Sequence, residues 1–257
     1  MIKITFLGTC SGTEPMAGRH HSSFVIEIGE KYYWFDADEN CSHAAYTSGF
    51  DFTRIRAVFI SHMHMDHIGG LPSLIFVINK HSKVTGKPHS NGNSFDIFLP
   101  DLEIFQMIKG IATMNHTRYT NVRMNEHEIL DGLLFEDESI RVSATHNAHL
   151  RETGENGWHS YSFLIEAEGK RIIFSGDVRA PEELDPFMVG GCDALIMETG
   201  HHKMESVLSY AEERGVKKLV FTHHGREILA DTEKAACLAN AAHPDAIICN
   251  DGDVVDL

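Results

Sequence analysis

The chain has 257 residues, 42% of them hydrophobic and 23% charged, enough to bury one large globular core. Its 22 Lys and Arg stand against 37 Asp and Glu, a formal charge of −15. Long nucleic acids, whose binding depends on many Lys and Arg contacts to phosphate, are therefore poor substrate candidates. The five cysteines, Cys10, Cys41, Cys192, Cys237 and Cys249, form no CxxC pair, and their odd number reads as reduced thiols. The start, MIKITFLGT, reads as a strand and lacks a signal-peptide pattern. The longest apolar run, near residues 71–78, is far below the roughly 20 residues that span a bilayer, so a soluble cytoplasmic protein is expected.

In chain order, short apolar or alternating runs predict strands over 2–7, 23–28, 32–36, 57–60, 95–99, 140–144, 162–166, 171–174, 194–197, 218–221 and 246–248. Helices are predicted past the glycines in HIGGLPSLIFVIN after Asp66, and over 102–113, 206–214 and 231–241. The last opens on Asp231-Thr-Glu-Lys, a plausible cap. Strands cluster first, a helix interrupts, strands resume, and strand–helix–strand–helix–strand closes the chain. That order predicts a mixed α/β (α+β) fold, two sheets packed together with helices outside, in a single domain over 1–257. One polar segment, 80–94 (KHSKVTGKPHSNGNS), reads as a loose insertion with its two histidines exposed.

The stretch from Ser61 to Gly70, SHMHMDHIGG, sets three histidines and an aspartate within positions 62–67, directly after a buried-type strand. Protonated imidazoles that close would repel one another, so the crowding calls for a ligand. Residues two apart in an extended segment share a face, which puts His62 and His64 together beyond the strand end. Gly69 and Gly70 are expected to turn the chain sharply, with Asp66 and His67 pointing back toward the same space. Neutral imidazoles and a carboxylate converging from one loop suit Zn²⁺ or a similar ion. Such a site needs partners from other strand ends. The candidates are His146 or His149 in VSATHNAHL, Asp177 in FSGD, and His223 or His224 in FTHH.

HxHxDH at 62–67, then a histidine, a Gly-Asp and a strand-terminal Thr-His, resembles the pattern of the metallo-β-lactamase-fold hydrolases. Leu7-Gly-Thr-Cys-Ser-Gly-Thr, Arg19, Ser22-Ser23, Phe35-Asp36-Ala, Met197-Glu198-Thr, Leu219-Val-Phe-Thr-His and Asn250-Asp-Gly-Asp-Val look like the ribonuclease Z branch, and the similarity runs along nearly the whole chain. The resemblance implies a four-layer αββα sandwich of two mixed sheets. It implies His62, His64 and the third-motif histidine on one metal, Asp66, His67 and His223 on a second, and Asp177 on both. The branch's usual spacing favours His149 over His146, and His223 is favoured over His224. Two divalent ions are thus expected, Zn²⁺ first, with Mn²⁺ or Fe²⁺ as alternatives. The branch also implies a general acid at His201, with His202 as the alternative and Glu198 as its electrostatic partner. Asp66, His201 and Glu198 form the expected catalytic set. Asp36 is implied beside the site, either orienting a ligand or capping a turn. Asp38 stands where many relatives carry glycine, and could alter a turn or the pocket wall. Dimers are common in the family, so a homodimer is a further expectation.

A metal pair of this kind can hold a bridging water as hydroxide, because one metal already lowers the pKa of bound water to about 7. The sequence carries no G-x-S-x-G elbow, Walker loop or dinucleotide glycine motif that would suggest another chemistry. The interval between His149 and Asp177 leaves no room for the tRNA-gripping arm usual in ribonuclease Z. With the charge of −15, this points to a small phosphodiester, such as a cyclic nucleotide or cyclic sugar phosphate. The similar phosphonate-pathway cyclic phosphodiesterase also lacks the arm. Two other readings keep the metal site: a hydrolase of lactones, thioesters or β-lactams, and a non-catalytic metal or ligand sensor, against which the intact ligand set speaks. Segments 80–94 and 150–160 are expected to shape the pocket.

Overall fold

The computed structural model describes residues 1–114, 122–150 and 157–257; of the segment 150–160, expected to shape the pocket, residues 151–156 lie outside them. The chain divides into two compact units. The first comprises Met1–Gly8, His20–Ile129 and Gly252–Leu257, the second Thr9–Arg19 and Leu130–Asp251.

In the first unit β1 (Ile2–Gly8), β2 (Ser23–Ile28), β3 (Lys31–Phe35), β4 (Ile55–Phe59), β5 (Ser94–Leu99), β6 (Arg123–Glu128) and β14 (Val254–Asp256) form one sheet, ordered β14-β1-β2-β3-β4-β5-β6. Pairing is antiparallel from β14 to β3 and parallel from β3 to β6. Parallel neighbours need crossovers. These contain α1 (Cys41–Thr47), α2 (Met65–Ile68), α3 (Leu71–Thr85) and α4 (Leu102–Thr113). Buried Leu71, Leu74, Ile75 and Ile78 repeat at helical spacing along α3 and join Trp34, Val58, Ile97 and Leu99 in one core. Each such side chain contributes roughly 1.5–3 kcal/mol by leaving water. Alternate residues of the same strands carry a second layer. Phe6, Phe24, Phe35, Phe59, Phe98 and His127 line up across the sheet, with ring centroids 4.5–5.6 Å apart from each to the next.

In the second unit β7 (Gly132–Glu136), β8 (Arg141–His146), β9 (Tyr161–Ala167), β10 (Lys170–Phe174), β11 (Ala194–Thr199), β12 (Lys218–His224) and β13 (Ala246–Ile248) are ordered β13-β12-β11-β10-β9-β8-β7. Here β7 to β10 are antiparallel and β10 to β13 parallel. The helices are α5 (Asp185–Met188), α6 (Met204–Glu213), α7 (Arg226–Leu229) and α8 (Thr232–Ala242). Val207, Ala211 and Ala239 join Ile173, Leu195, Met197 and Phe221 in the core. The Asp231 carboxylate caps α8 by accepting from the Lys234 amide at 3.0 Å, worth about 1 kcal/mol.

Every predicted strand has its counterpart, and α4 occupies the predicted range. The loose insertion does not hold. Helix α3 continues to Thr85 and stops at Gly86, at φ +70°, because His81 extends the buried stripe against Phe52, ring centroids 5.4 Å apart. Nor are the two histidines of that segment exposed: the His81 side chain is 14% accessible and His89 is buried at 3%. All five cysteines are free thiols. Among the described residues, no helix is long and apolar enough to cross a membrane.

Candidate metal centre

In open sheets with parallel strands, sites form outside the strands' carboxyl ends. In the first unit the chain leaves β3 at Asp36 and β4 at Ser61. Asp36 is fully buried with φ +54°, a conformation non-glycine residues adopt at a cost of order 1 kcal/mol or more. Its carboxylate accepts from the Ser61 amide at 2.7 Å, the Ser61 hydroxyl at 2.8 Å and His67 Nδ1 at 2.7 Å. Asp36 therefore both caps the loop and orients an imidazole, joining the two roles the sequence left open. With Nδ1 held as the donor, His67 Nε2 keeps its lone pair, and it lies 3.4 Å from Asp66 Oδ2. Ser61 Oγ also meets His62 Nδ1 at 3.1 Å, while His62 Nε2 lies 3.0 Å from His64 Nδ1. The four predicted residues of this loop thus converge as two pairs of donor atoms.

The turn that brings Asp66 and His67 back is the helical turn α2, which begins before the glycines. Gly69 and Gly70 have ordinary helical dihedrals, so they do not make the sharp turn expected of them. Gly70 is needed for close approach instead: a Cβ there would lie 1.8 Å from the Asp38 carbonyl oxygen. Asp38 is a turn residue, its Oδ1 accepting from the Asn40 amide at 2.6 Å. Beside it the Glu39 carboxylate meets His20 Nδ1 at 2.9 Å and His21 Nδ1 at 2.8 Å.

In the second unit Asp177, Glu198 and His223 stand at or just beyond the ends of the parallel strands β10, β11 and β12. Buried Asp177 turns Oδ2 toward His149 Nε2 at 3.6 Å and Oδ1 toward His223 Nε2, also at 3.6 Å. His223 sits at φ +47°, and Gly200 makes room for it: a Cβ at 200 would approach His223 Nδ1 to 2.7 Å. His201 directs Nδ1 at the Glu198 carboxylate, 3.0 Å from Oε1, and its amide donates to Oε2 at 2.9 Å. Burial alone would raise the Glu198 carboxyl, but His201 and His223 outweigh it and hold the pKa at about 2. The same hydrogen bond raises the pKa of His201.

The alternatives raised by the sequence have other hydrogen-bond partners. His146 is turned to Asp131, with Nδ1 2.6 Å from Oδ2, and its ring stacks on Trp158. His202 Nε2 donates to the Val178 carbonyl at 3.0 Å and lies 3.4 Å from Glu198 Oε1, so it stands beside the same carboxylate as His201 with its Nε2 already engaged. His224 is buried and neutral, its pKa pushed down to about 3 by burial, with Nε2 on the Cys249 carbonyl at 2.8 Å.

A family model described as Anti-Pycsar protein Apyc1 matches residues 2–239. The chain belongs to this family. Ribonuclease Z of Microcystis aeruginosa is 33% identical to this Apyc1-family chain over 144 residues, 55% of the chain and 42% of that relative, so the chain spans about half the relative's length. The metallo-β-lactamase fold protein YhfI of Bacillus subtilis superposes with a TM-score of 0.75 at 18% identity, covering 99% of this chain and 98% of its own. Human tRNase Z, short form, superposes with a TM-score of 0.74 at 20% identity and the same coverage. The Apyc1-family chain has the metallo-β-lactamase fold.

The donor set fits divalent ions. In the second unit, one ligand atom from each of Asp177, Glu198, His201 and His223 lies within 4.8 Å of the others. Imidazole nitrogens with carboxylate oxygens suit Zn²⁺, Mn²⁺ or Fe²⁺. Two organising residues escaped the sequence reading. Ser61 was visible only as the start of the motif. Glu183, whose carboxylate binds the Ala148 and Arg179 amides at 3.0 and 2.9 Å, carries no local signal at all.

Proposed function

We propose that the protein is a dinuclear metal-dependent hydrolase acting on a small phosphodiester. In this reading His62, His64 and His149 hold one divalent ion, Asp66, His67 and His223 hold the other, and Asp177 serves both. The observation that carries it is Asp177, a buried carboxylate whose two oxygens each face a different imidazole, as a shared ligand requires. Both units then belong to one hydrolase domain, and Zn²⁺ is the first candidate ion.

When bound, the ions supply Lewis acidity toward phosphoryl oxygens and a water that ionises near neutral pH. The chain's own residues do the rest. Asp36 keeps the His67 proton on Nδ1 and so presents Nε2 as a ligand atom. Glu198 holds His201 by Nδ1, which leaves Nε2 to carry a proton to the departing oxygen. Similarity to ribonuclease Z supports a phosphodiester as the electrophile. The charge of −15 and the short interval between His149 and Asp177 support a small one, cyclic nucleotides and cyclic sugar phosphates included.

The test is turnover of bis(p-nitrophenyl) phosphate and cyclic nucleotides against a panel of lactones, thioesters and β-lactams, with protein fully loaded with Zn²⁺ or Mn²⁺. Phosphodiester hydrolysis is expected. Acyl hydrolysis with no phosphodiester turnover would replace the reading by the carbonyl alternative.

A further inference from the structure

The second unit carries a cavity of about 240 Å³ lined by Ala148, His149, Val178, Arg179 and His201. Two of these side chains are already assigned, His149 as a ligand and His201 as the proton donor. Arg179 is not. It stands two residues past Asp177, on the loop leaving β10.

Every other arginine among the described residues is committed. Among the described residues, Arg19, Arg54, Arg56, Arg123, Arg141, Arg171, Arg214 and Arg226 each place their guanidinium on a hydrogen-bond acceptor. The Arg179 guanidinium makes no hydrogen bond or ion pair with them, and the residue is exposed. In a protein of charge −15 with 37 carboxylates, this arginine, left unneutralised beside two histidines, is available to an anion from outside the folded chain.

The backbone under Arg179 is fixed on both sides. The Val178 amide donates to Glu198 Oε1 at 3.3 Å, and the Val178 carbonyl accepts from His202 Nε2 at 3.0 Å. Glu183 then accepts from the Arg179 amide with Oε2 at 2.9 Å and from the Ala148 amide with Oε1 at 3.0 Å. One carboxylate thus fastens the loop bearing His149 to the loop bearing Asp177 and sets the width of the cavity. The nearby carboxylates of Asp177 and Glu198 are turned onto histidines, so the guanidinium is the group free to meet an incoming anion.

We propose that Arg179 binds a non-bridging oxygen of an anionic phosphodiester or phosphomonoester, with Glu183 as its positioning residue, so that the site selects phosphate anions over neutral acyl substrates. This rests on the hydrolase reading above and narrows its substrate class. A planar guanidinium meets phosphate oxygens with two parallel hydrogen bonds, which a lysine ammonium cannot reproduce.

The experiment uses the metal-loaded full chain and its Arg179→Gln, Arg179→Lys and Glu183→Gln variants. Metal content is measured in each, with kcat and KM for bis(p-nitrophenyl) phosphate and calorimetric affinity for adenosine 5′-monophosphate. Loss of a charge-assisted phosphate contact is expected to raise KM and weaken nucleotide binding about tenfold or more in Arg179→Gln, with kcat within about threefold and metal content unchanged. Arg179→Lys should recover part of the loss, and Glu183→Gln should lose less than Arg179→Gln. KM and nucleotide affinity within about twofold of wild type in Arg179→Gln would overturn the proposal, as would no nucleotide binding to the wild-type chain. If the wild-type chain binds the nucleotide but hydrolyses no phosphodiester, the hydrolase reading fails, and the calorimetric comparison alone decides the role of Arg179.

Discussion

The two units prepare their donor atoms in different ways. The first takes all four from six consecutive positions, His62 to His67, and needs one short loop after β4. The second gathers His149, Asp177 and His223 from three separate strand ends spread over 75 positions, 149–223. Yet both rely on a buried carboxylate that organises its neighbours through a backbone amide and an imidazole: Asp36 through Ser61 and His67, Glu198 through His201 and its ring. Strain is placed differently. In the first unit the organiser, Asp36, has the positive φ; in the second a donor residue, His223, has it. A compact loop is stabilised by one hub, whereas a dispersed set must be stabilised strand by strand.

The sharpest way to break this comparison is Asp177→Ala. Removing the carboxylate shared by two imidazoles should release at least one metal per chain and lower turnover by about a thousandfold or more, read by elemental analysis and kinetics. Retained stoichiometry with activity would refute the shared role. Next comes His201→Ala, which should slow catalysis by about 10²–10⁴, most for poor leaving groups, while both metals stay bound. If that variant is stripped of metal instead, His201 belongs with the ligands and the two units differ less than described.

Asp36→Asn tests the first unit's hub. The amide cannot accept from Ser61 and His67 as the carboxylate does, so metal affinity should fall about 10–100-fold and stability by about 2 kcal/mol, measured by metal titration and denaturant unfolding. Gly200→Ala tests the strained donor of the second unit. Its methyl group would press on the His223 ring at 2.7–2.8 Å, and a cost of about 1–3 kcal/mol with reduced metal content is expected.

The last effect lies away from both donor sets and touches stability alone. His89 is buried in the first unit, and neither ring nitrogen has a hydrogen-bond partner among the described residues. Burial, reinforced by the charge of Arg56, pushes its pKa down to about 4. Between the unfolded value near 6.5 and that folded value, the unfolded chain binds the extra proton. The contribution of neutral His89 is therefore present above about pH 6.5 and lost as the pH falls to 4, up to about 3 kcal/mol. His89→Leu should flatten this part of the stability–pH profile; an unchanged slope would show that His89 does not titrate on unfolding.

How far the sequence could be read follows the same division. The loop at 62–67 is legible because its donors are neighbours and the strand before it is apolar. His149 could be favoured over His146 only through family spacing, since both lie at a strand end; what separates them is the pairing of His146 with Asp131, fifteen positions away. β6, Arg-Met-Asn-Glu-His-Glu, escaped because it is a polar edge strand whose pairing with β5 is tertiary. The burial of His89 and the clamp made by Glu183 depend on contacts between loops, and no local period announces them.

The central claim is most directly tested by titrating metal-stripped chain with Zn²⁺ while following bis(p-nitrophenyl) phosphate hydrolysis. The account predicts no turnover at the start and activity that rises to a plateau near two equivalents per chain. Full activity in the stripped protein, or a chain that takes up no ion across the titration, would contradict it.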